Sequence, residues 1–151
     1  PVVTVGGVSD GRSLAAAITL GASGVMMGSR FIATKECVVH DRIKEELVKR
    51  EENETTIFGK SFGLQGRALK TEVITQIQEM EKSGGTLEDI IPLMAGQRIK
   101  KAWETGNVDH APLMVGQSIG FIRDIPSCED LLNKMVKEAE ETFERARSVV
   151  V

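Results

Sequence analysis

The 151-residue sequence contains no tyrosine, and five phenylalanines and one tryptophan are its only aromatic side chains. Cysteine is nearly absent: Cys37 and Cys128 lie far apart in sequence. They match no zinc-ligand spacing and no Cys-x-x-Cys redox pair, so a disulfide scaffold and a structural zinc site are disfavoured. Reduced thiols in a cytoplasmic protein are the expectation. No apolar run approaches the roughly 18 residues that mark a membrane-spanning helix. Neither sign of charge dominates, with 19 Lys and Arg against 22 Asp and Glu and a net charge of −3. That balance argues against nucleic acid or an anionic membrane surface as a broad electrostatic partner.

What is present is ordinary for a soluble globular chain: 41% hydrophobic residues, 27% charged residues and 15 glycines. The length suits one domain of about 100–200 residues. Val2-Val3-Thr4-Val5 is a short β-branched run stopped by Gly6-Gly7. A continuous apolar run bounded by glycine predicts a strand buried on both faces, as in a parallel sheet. Ser9 or Asp10 can cap a following helix, whose apolar face is Leu14, Ala15, Ala17 and Ile18 and whose end is Gly21. Gly24-Val25-Met26-Met27 reads as a second strand, ended by Gly28-Ser29. Strand, helix and strand in so few residues imply parallel pairing through a right-handed crossover.

Further along, Thr34 predicts a helix cap with Glu36 in the first turn, and that helix continues past Ile43, Leu47 and Val48. Thr55-Thr56-Ile57-Phe58 predicts another strand, and Gly59, Gly63 and Gly66 make the segment after it loop-like. Val73, Ile74, Ile77 and Met80 mark a helix that stops at Ser83-Gly84-Gly85. From Thr86 the pattern reads helical to the end. It begins with a Thr86–Asp89 capping-box pair, kinks or restarts at Pro92, breaks at Gly106-Asn107 and closes with the stripe Leu131, Leu132, Met135, Val136, Ala139, Phe143 and Ala146. One internal echo occurs: Pro92–Ile99 and Pro112–Ile119 agree at six of eight positions. Two copies make no solenoid, and two similar helix starts with proline near the first turn account for it.

The glycine pairs carry the chemistry that spacing alone suggests. Gly6-Gly7 and Gly28-Ser29 each end one of two successive parallel strands, so both loops open at one sheet edge. Glycine lets backbone N–H groups approach a ligand closely, and a helix start just beyond adds positive partial charge. Barrels and open sheets both bind ligands at this end of their strands. A phosphate cradle and a pair of plain tight turns are both compatible with this pattern.

A larger set of residues resembles a known family. Pro1–Gly7, Asp10-Gly11-Arg12, Leu14–Ala17, Leu20-Gly21-Ala22, Gly24-Val25 and Met27–Cys37 resemble the nitronate monooxygenase (2-nitropropane dioxygenase-like) family, which includes the flavin-type enoyl-acyl-carrier-protein reductases. The resemblance continues through His40–Lys44, Phe62-Gly63, Arg67-Ala68 with Lys70, and Gly116-Gln117-Ser118 with Gly120. It implies an α/β fold: the C-terminal part of an FMN-binding TIM barrel, its last two βα units, followed by a mainly helical region. Residues 1–50 would be the barrel units with the phosphate site, and 51–151 the helical region that completes the flavin pocket. The resemblance further implies that Gly6, Gly7, Gly28 and Ser29 hold the FMN phosphate and that Met26 and Met27 line the cofactor. Gly116, Gln117 and Ser118 would lie near the flavin ring. A TIM barrel takes about 250 residues, so Pro1 reads as a cut in front of a barrel strand, and the remaining N-terminal barrel segment is an expected partner.

The expected function is an FMN-dependent oxidoreductase, nitronate monooxygenase first and an NAD(P)H-dependent enoyl-acyl-carrier-protein reductase second. A small-molecule substrate, a nitronate or an enoyl thioester, is the corresponding partner. A non-catalytic fragment or subunit that needs another chain is the alternative of a different class, and self-association is open. An inosine-monophosphate-dehydrogenase-like phosphate barrel fits less well, because the Arg30-Phe31 and Thr34–Glu36 continuation departs from it. No catalytic residue is expected in this chain, since the family's histidine base belongs to an earlier strand. His40 and His110 read as solvated or capping groups. Arg30 and Arg67 could each meet a phosphate or form a structural ion pair. Cys37 stands near an expected helix start, and a buried inert thiol is the simpler reading.

Overall fold

A computed structural model describes residues 1–150. The first unit is a parallel pair, β1 (Val3–Val5) and β2 (Gly24–Met26), with Val3 opposite Gly24 and Val5 opposite Met26. Helix α1 (Gly11–Thr19) forms the crossover. Asp10 is its N-cap: the carboxylate accepts from the Ser13 amide at 2.8 Å and the Ser13 hydroxyl at 2.7 Å. Gly21 follows the helix at φ +98°, a left-handed position that favours glycine. Val3, Val5 and Met26 are more than half exposed within this chain. Among the described residues β1 pairs with β2 alone, so no further strand covers it.

The next stretch also departs from expectation. A short helix α2 (Ser29–Ile32) begins directly after β2, and no helix starts at Thr34. The Thr34 hydroxyl donates back to the Phe31 carbonyl at 2.8 Å, so it caps nothing ahead of it. The Lys35 amide donates to the Pro126 carbonyl at 2.9 Å, and the Glu36 carboxylate accepts from the Cys128 amide. Tertiary partners thereby draw residues 33–40 into an irregular path. The helix resumes as α3 (Asp41–Lys49), with His40 as its N-cap; His40 Nδ1 accepts from the Arg42 amide.

An antiparallel hairpin follows, β3 (Thr55–Phe58) and β4 (Gly66–Leu69). The glycine-rich connection is the hairpin turn rather than an extended loop, and Gly66 already belongs to the return strand. A Cβ on Gly66 would lie 2.6 Å from Met114 Cε, the movable tip of a half-exposed side chain. Helix α4 (Glu72–Lys82) covers the hairpin with Phe58, Ala68, Val73, Ile74, Ile77 and Ile90 in one core. Helix α5 (Leu87–Met94) opens with the Thr86–Asp89 capping box. Pro92 lies inside it, and two residues later the helix stops; α6 (Gly96–Thr105) restarts the chain in a new direction.

Residues 107–127 are not a continuation of the helical pattern. Met114 bridges Ala68 at the hairpin edge, and a 3-10 turn spans Gln117–Phe121. This segment supplies Leu113, Val115, Ile119 and Ile122 to a second core with Ile43, Leu47 and Leu69. Burying those side chains outweighs a helical propensity that only a 3.6-residue pattern would reward. Finally α7 (Cys128–Val149) returns to the first unit and packs Leu131 and Met135 against Val8. Gly11 is the contact that permits the close approach, and its amide donates to Glu138 at 2.9 Å.

Candidate functional site

Both glycine loops open where the two parallel strands end. Gly6 and Gly7 adopt φ +82° and +76° in succession after β1. This left-handed pair turns the chain sharply into the approach to α1 and is strained for any L-residue with a Cβ. Gly28 follows β2 at φ −105° and is the N-cap of α2. A Cβ built on Gly6, Gly7 or Gly28 meets nothing within 4 Å, so the bare backbone at all three positions borders open space.

The second wall comes from the hairpin and from the segment after α6. The Gly116 amide donates to Ser29 Oγ at 3.0 Å, and the preceding Val115 amide donates to the Arg67 carbonyl at 3.2 Å. Two consecutive backbone groups thus tie β4 and the Gly116 segment to the end of β2. Between the walls lies a cleft of about 350 Å³ lined by Gly6, Gly7, Met26, Met27, Gly28, Ser29, Gly116 and Ser118 together with Val5, Val8, Ile32, Arg67, Met114 and Val115. The nine site residues expected from the sequence therefore converge with one exception. Gln117 is exposed and does not line the cleft; its neighbours on both sides do.

Met114 and Val115 were not singled out by sequence reasoning. The available signal is their position directly before Gly116, in the second copy of the internal echo. Arg67 is the single charged side chain on the lining. Its Nη1 donates to the Thr55 hydroxyl at 2.9 Å, and that hydroxyl donates in turn to the Glu52 carbonyl at 3.1 Å. Arg30, the other arginine near the strand ends, is committed elsewhere. Its buried guanidinium pairs with Asp124 at 2.6 Å and also donates to the Asp124 and Ala33 carbonyls. Neither histidine lines the cleft: His40 caps α3, and the His110 carbonyl accepts from Arg98. Cys37 packs partly buried beside the Ile43–Leu47 core, within the irregular segment.

A larger groove of about 620 Å³ lies between Asp10, Arg12, Phe121, Asp124 and α7. Four cationic and four anionic side chains line it, among them Arg12 paired with Asp10 at 2.8 Å and Lys134 with Asp124 at 3.5 Å. Such a groove presents little uncompensated charge and no glycine loop, so the smaller cleft has the better chemistry for a ligand. No group of three or more His, Cys, Asp or Glu side chains among the described residues is arranged to hold a metal ion.

The family model described as nitronate monooxygenase matches residues 1–138. Curated relatives include a (3aS,4S,5R,7aS)-5-hydroxy-7a-methyl-1-oxo-octahydro-1H-indene-4-carboxyl-CoA dehydrogenase of Rhodococcus jostii, 30% identical over 92% of this chain and 50% of that protein. Another, named "Probable nitronate monooxygenase", is from Staphylococcus saprophyticus and is 30% identical over 96% of this chain and 40% of that protein. Among solved structures, FabK from Thermotoga maritima superposes with a TM-score of 0.92 at 36% identity, covering 99% of this chain and 47% of that one. A nitroalkane oxidase of Streptomyces ansochromogenes has the same fold, with a TM-score of 0.75 at 24% identity over 96% of this chain and 41% of that one. The chain spans about half the length of the curated relatives it matches first. Its two strand–helix units and the helices after them have the architecture of the C-terminal part of a TIM barrel.

Proposed function

The chain belongs to the nitronate monooxygenase family, and from that premise we propose that it is the phosphate-anchoring portion of an FMN-dependent oxidoreductase. The observation that carries the reading is the cleft itself: two glycine loops at adjacent strand ends, closed by the Ser29–Gly116 hydrogen bond. The residues fit a flavin mononucleotide. Bare backbone at Gly6, Gly7 and Gly28 leaves room for a phosphate, and the Ser29 hydroxyl can donate to it. Met26, Met27, Met114 and Val115 offer apolar, adaptable surface for the flatter part of the ligand.

Bound FMN would supply the electron and hydride transfer, which no side chain can perform. The chain's own residues would bind and orient the cofactor and exclude water from one side of it. Ser29 has a specific part in this, because accepting from the Gly116 amide leaves its own hydrogen free for a ligand oxygen.

For the substrate we favour an acyl or enoyl thioester. Two curated relatives are named as carboxyl-CoA dehydrogenases. A nitronate is the second reading, supported by the relatives named for that activity. The test is made on the intact protein that contains this chain. Flavin absorbance after purification is expected. Oxidation of NAD(P)H with an enoyl thioester would then favour the first substrate, and nitronate-dependent oxygen uptake the second. An intact protein that neither retains nor binds FMN would overturn the whole reading.

A further inference from the structure

We infer that Arg67 is the charged arm of the cleft and takes the phosphate of the bound flavin mononucleotide, opposite the glycine loops. This rests on the FMN reading above and adds to it a residue outside the two strand-end loops.

Three observations support it. First, the cleft is otherwise uncharged. Backbone N–H groups contribute partial charge only, so a phosphate carrying close to two negative charges is better held where a full cation is also present. Arg67 is the single charged side chain on the lining. Second, its guanidinium is positioned but not neutralised. One N–H group is held by the Thr55 hydroxyl at 2.9 Å, and no ion pair within reach of a carboxylate involves Arg67 among the described residues. Arg30 makes the contrast, since its buried guanidinium is occupied by Asp124. A planar fork with free donors is what bidentate phosphate recognition needs. Third, β4 is fixed to the phosphate end of the cleft. The Val115 amide holds the Arg67 carbonyl, and the next amide, Gly116, holds Ser29. The arm and the strand-end loop therefore belong to one hydrogen-bonded frame.

The test compares FMN with riboflavin, which lacks the phosphate, by flavin fluorescence titration of the intact apoprotein. In Arg67→Met, the FMN dissociation constant is expected to rise about 10- to 100-fold, while that of riboflavin stays within about twofold. Arg67→Lys is expected to fall between, because it keeps the charge and loses the fork. In the parent protein, added chloride should weaken FMN binding and leave riboflavin binding unchanged. That arm needs no variant and so survives any folding defect. An unchanged preference for FMN over riboflavin in Arg67→Met would overturn the role of Arg67 and leave the FMN reading standing. Equal loss of both flavins in both variants, with no salt effect in the parent, would also overturn it and assign Arg67 to the fold alone. Failure of the parent protein to bind either flavin would overturn the FMN reading and this inference with it.

Discussion

Ser29 Oγ accepts the Gly116 amide hydrogen at 3.0 Å, joining the end of β2 to a segment 87 residues further along the chain. Ser29 stands at the rim of the cleft, and the bond fixes the wall that faces it. Ser29→Ala removes the acceptor and leaves the Gly116 amide to find water. A loss of about 0.5–1.5 kcal/mol is expected in denaturant unfolding. Flavin affinity should fall by more than that loss alone implies, because the hydroxyl donor to the ligand disappears as well. An unchanged FMN affinity in this variant would remove Ser29 from the site.

Gly7 and Gly28 separate two reasons for a glycine. Gly7 sits at φ +76°, so Gly7→Ala strains the backbone by about 1–2 kcal/mol even though its methyl meets nothing. Gly28 sits at an ordinary φ of −105° with open space beyond. Gly28→Ala should leave the melting temperature close to that of the parent and still weaken flavin binding, since the methyl would occupy the space a ligand needs. Thermal melts run beside flavin titrations check both. A Gly28→Ala protein that binds flavin as the parent does would mean that nothing approaches this backbone closely.

Much of this was legible in the chain, and the exceptions share a cause. The strands before Gly6 and Gly28, the Asp10 and Thr86 caps and the Gly21 stop rest on residues whose preference is local, and each is found where the sequence places it. Thr34 and Glu36 carry the same local signal, but their partners are Phe31 and Cys128, and Cys128 is remote in sequence. The echo makes the point most directly. Pro92–Ile99 spans the end of α5 and the start of α6, whereas Pro112–Val115 is extended along the hairpin edge and only Gln117 onward turns helically. In both copies Gly-Gln stands at a helical start, which is the local part. The path before it is set by what lies alongside. Arg30 and Arg67 could not be told apart for the same reason: Asp124, which occupies Arg30, is 94 residues away.

That pair gives a stability prediction free of any ligand. The Arg30 side chain is 3% exposed and Asp124 is 48% exposed. Asp124→Ala leaves the guanidinium with two backbone carbonyls and no directly bonded carboxylate. Half exposure of the lost carboxylate screens the effect, so a cost of about 1–2 kcal/mol is expected in denaturant unfolding. Stability equal to the parent would mean that the carbonyls alone satisfy Arg30.

Acid should loosen α7 from the rest. Glu36 accepts from the Cys128 amide through both carboxylate oxygens, and this backbone hydrogen bond holds its pKa below the ordinary 4.5. A depressed carboxylate stabilises the fold fully above its unfolded value, and the contribution is lost as pH falls through the lower folded value. Asp10 behaves alike: burial pushes its pKa up, but hydrogen bonds from Ser13 and the Arg12 partner outweigh it and the net direction is down. Glu36→Gln should therefore show a shallower decline than the parent in thermal melts between about pH 6 and about pH 3. Superimposable acid limbs would remove Glu36 from that decline.

The sharpest test of the frame is at Gly11. Its φ is not left-handed, so the glycine is not required by the turn. A Cβ there would fall on Glu138 Cβ and on the backbone of Met135 and Ala139, and backbone in the middle of α7 cannot rotate aside as a side-chain tip can. Gly11→Ala must therefore push α1 and α7 apart and stretch the 2.9 Å bond from the Gly11 amide to Glu138. Overpacking of this kind costs about 1–3 kcal/mol or more, against at most ~1 kcal/mol gained from alanine's better helix propensity. The net sign is destabilising. Because α1 begins just beyond the Gly6-Gly7 loop, the displacement should also weaken FMN binding, whereas Ala16→Gly in the same helix lowers stability without moving α7. Denaturant unfolding paired with flavin titration distinguishes the two. A Gly11→Ala protein as stable as the parent would show that α1 and α7 do not pack this closely.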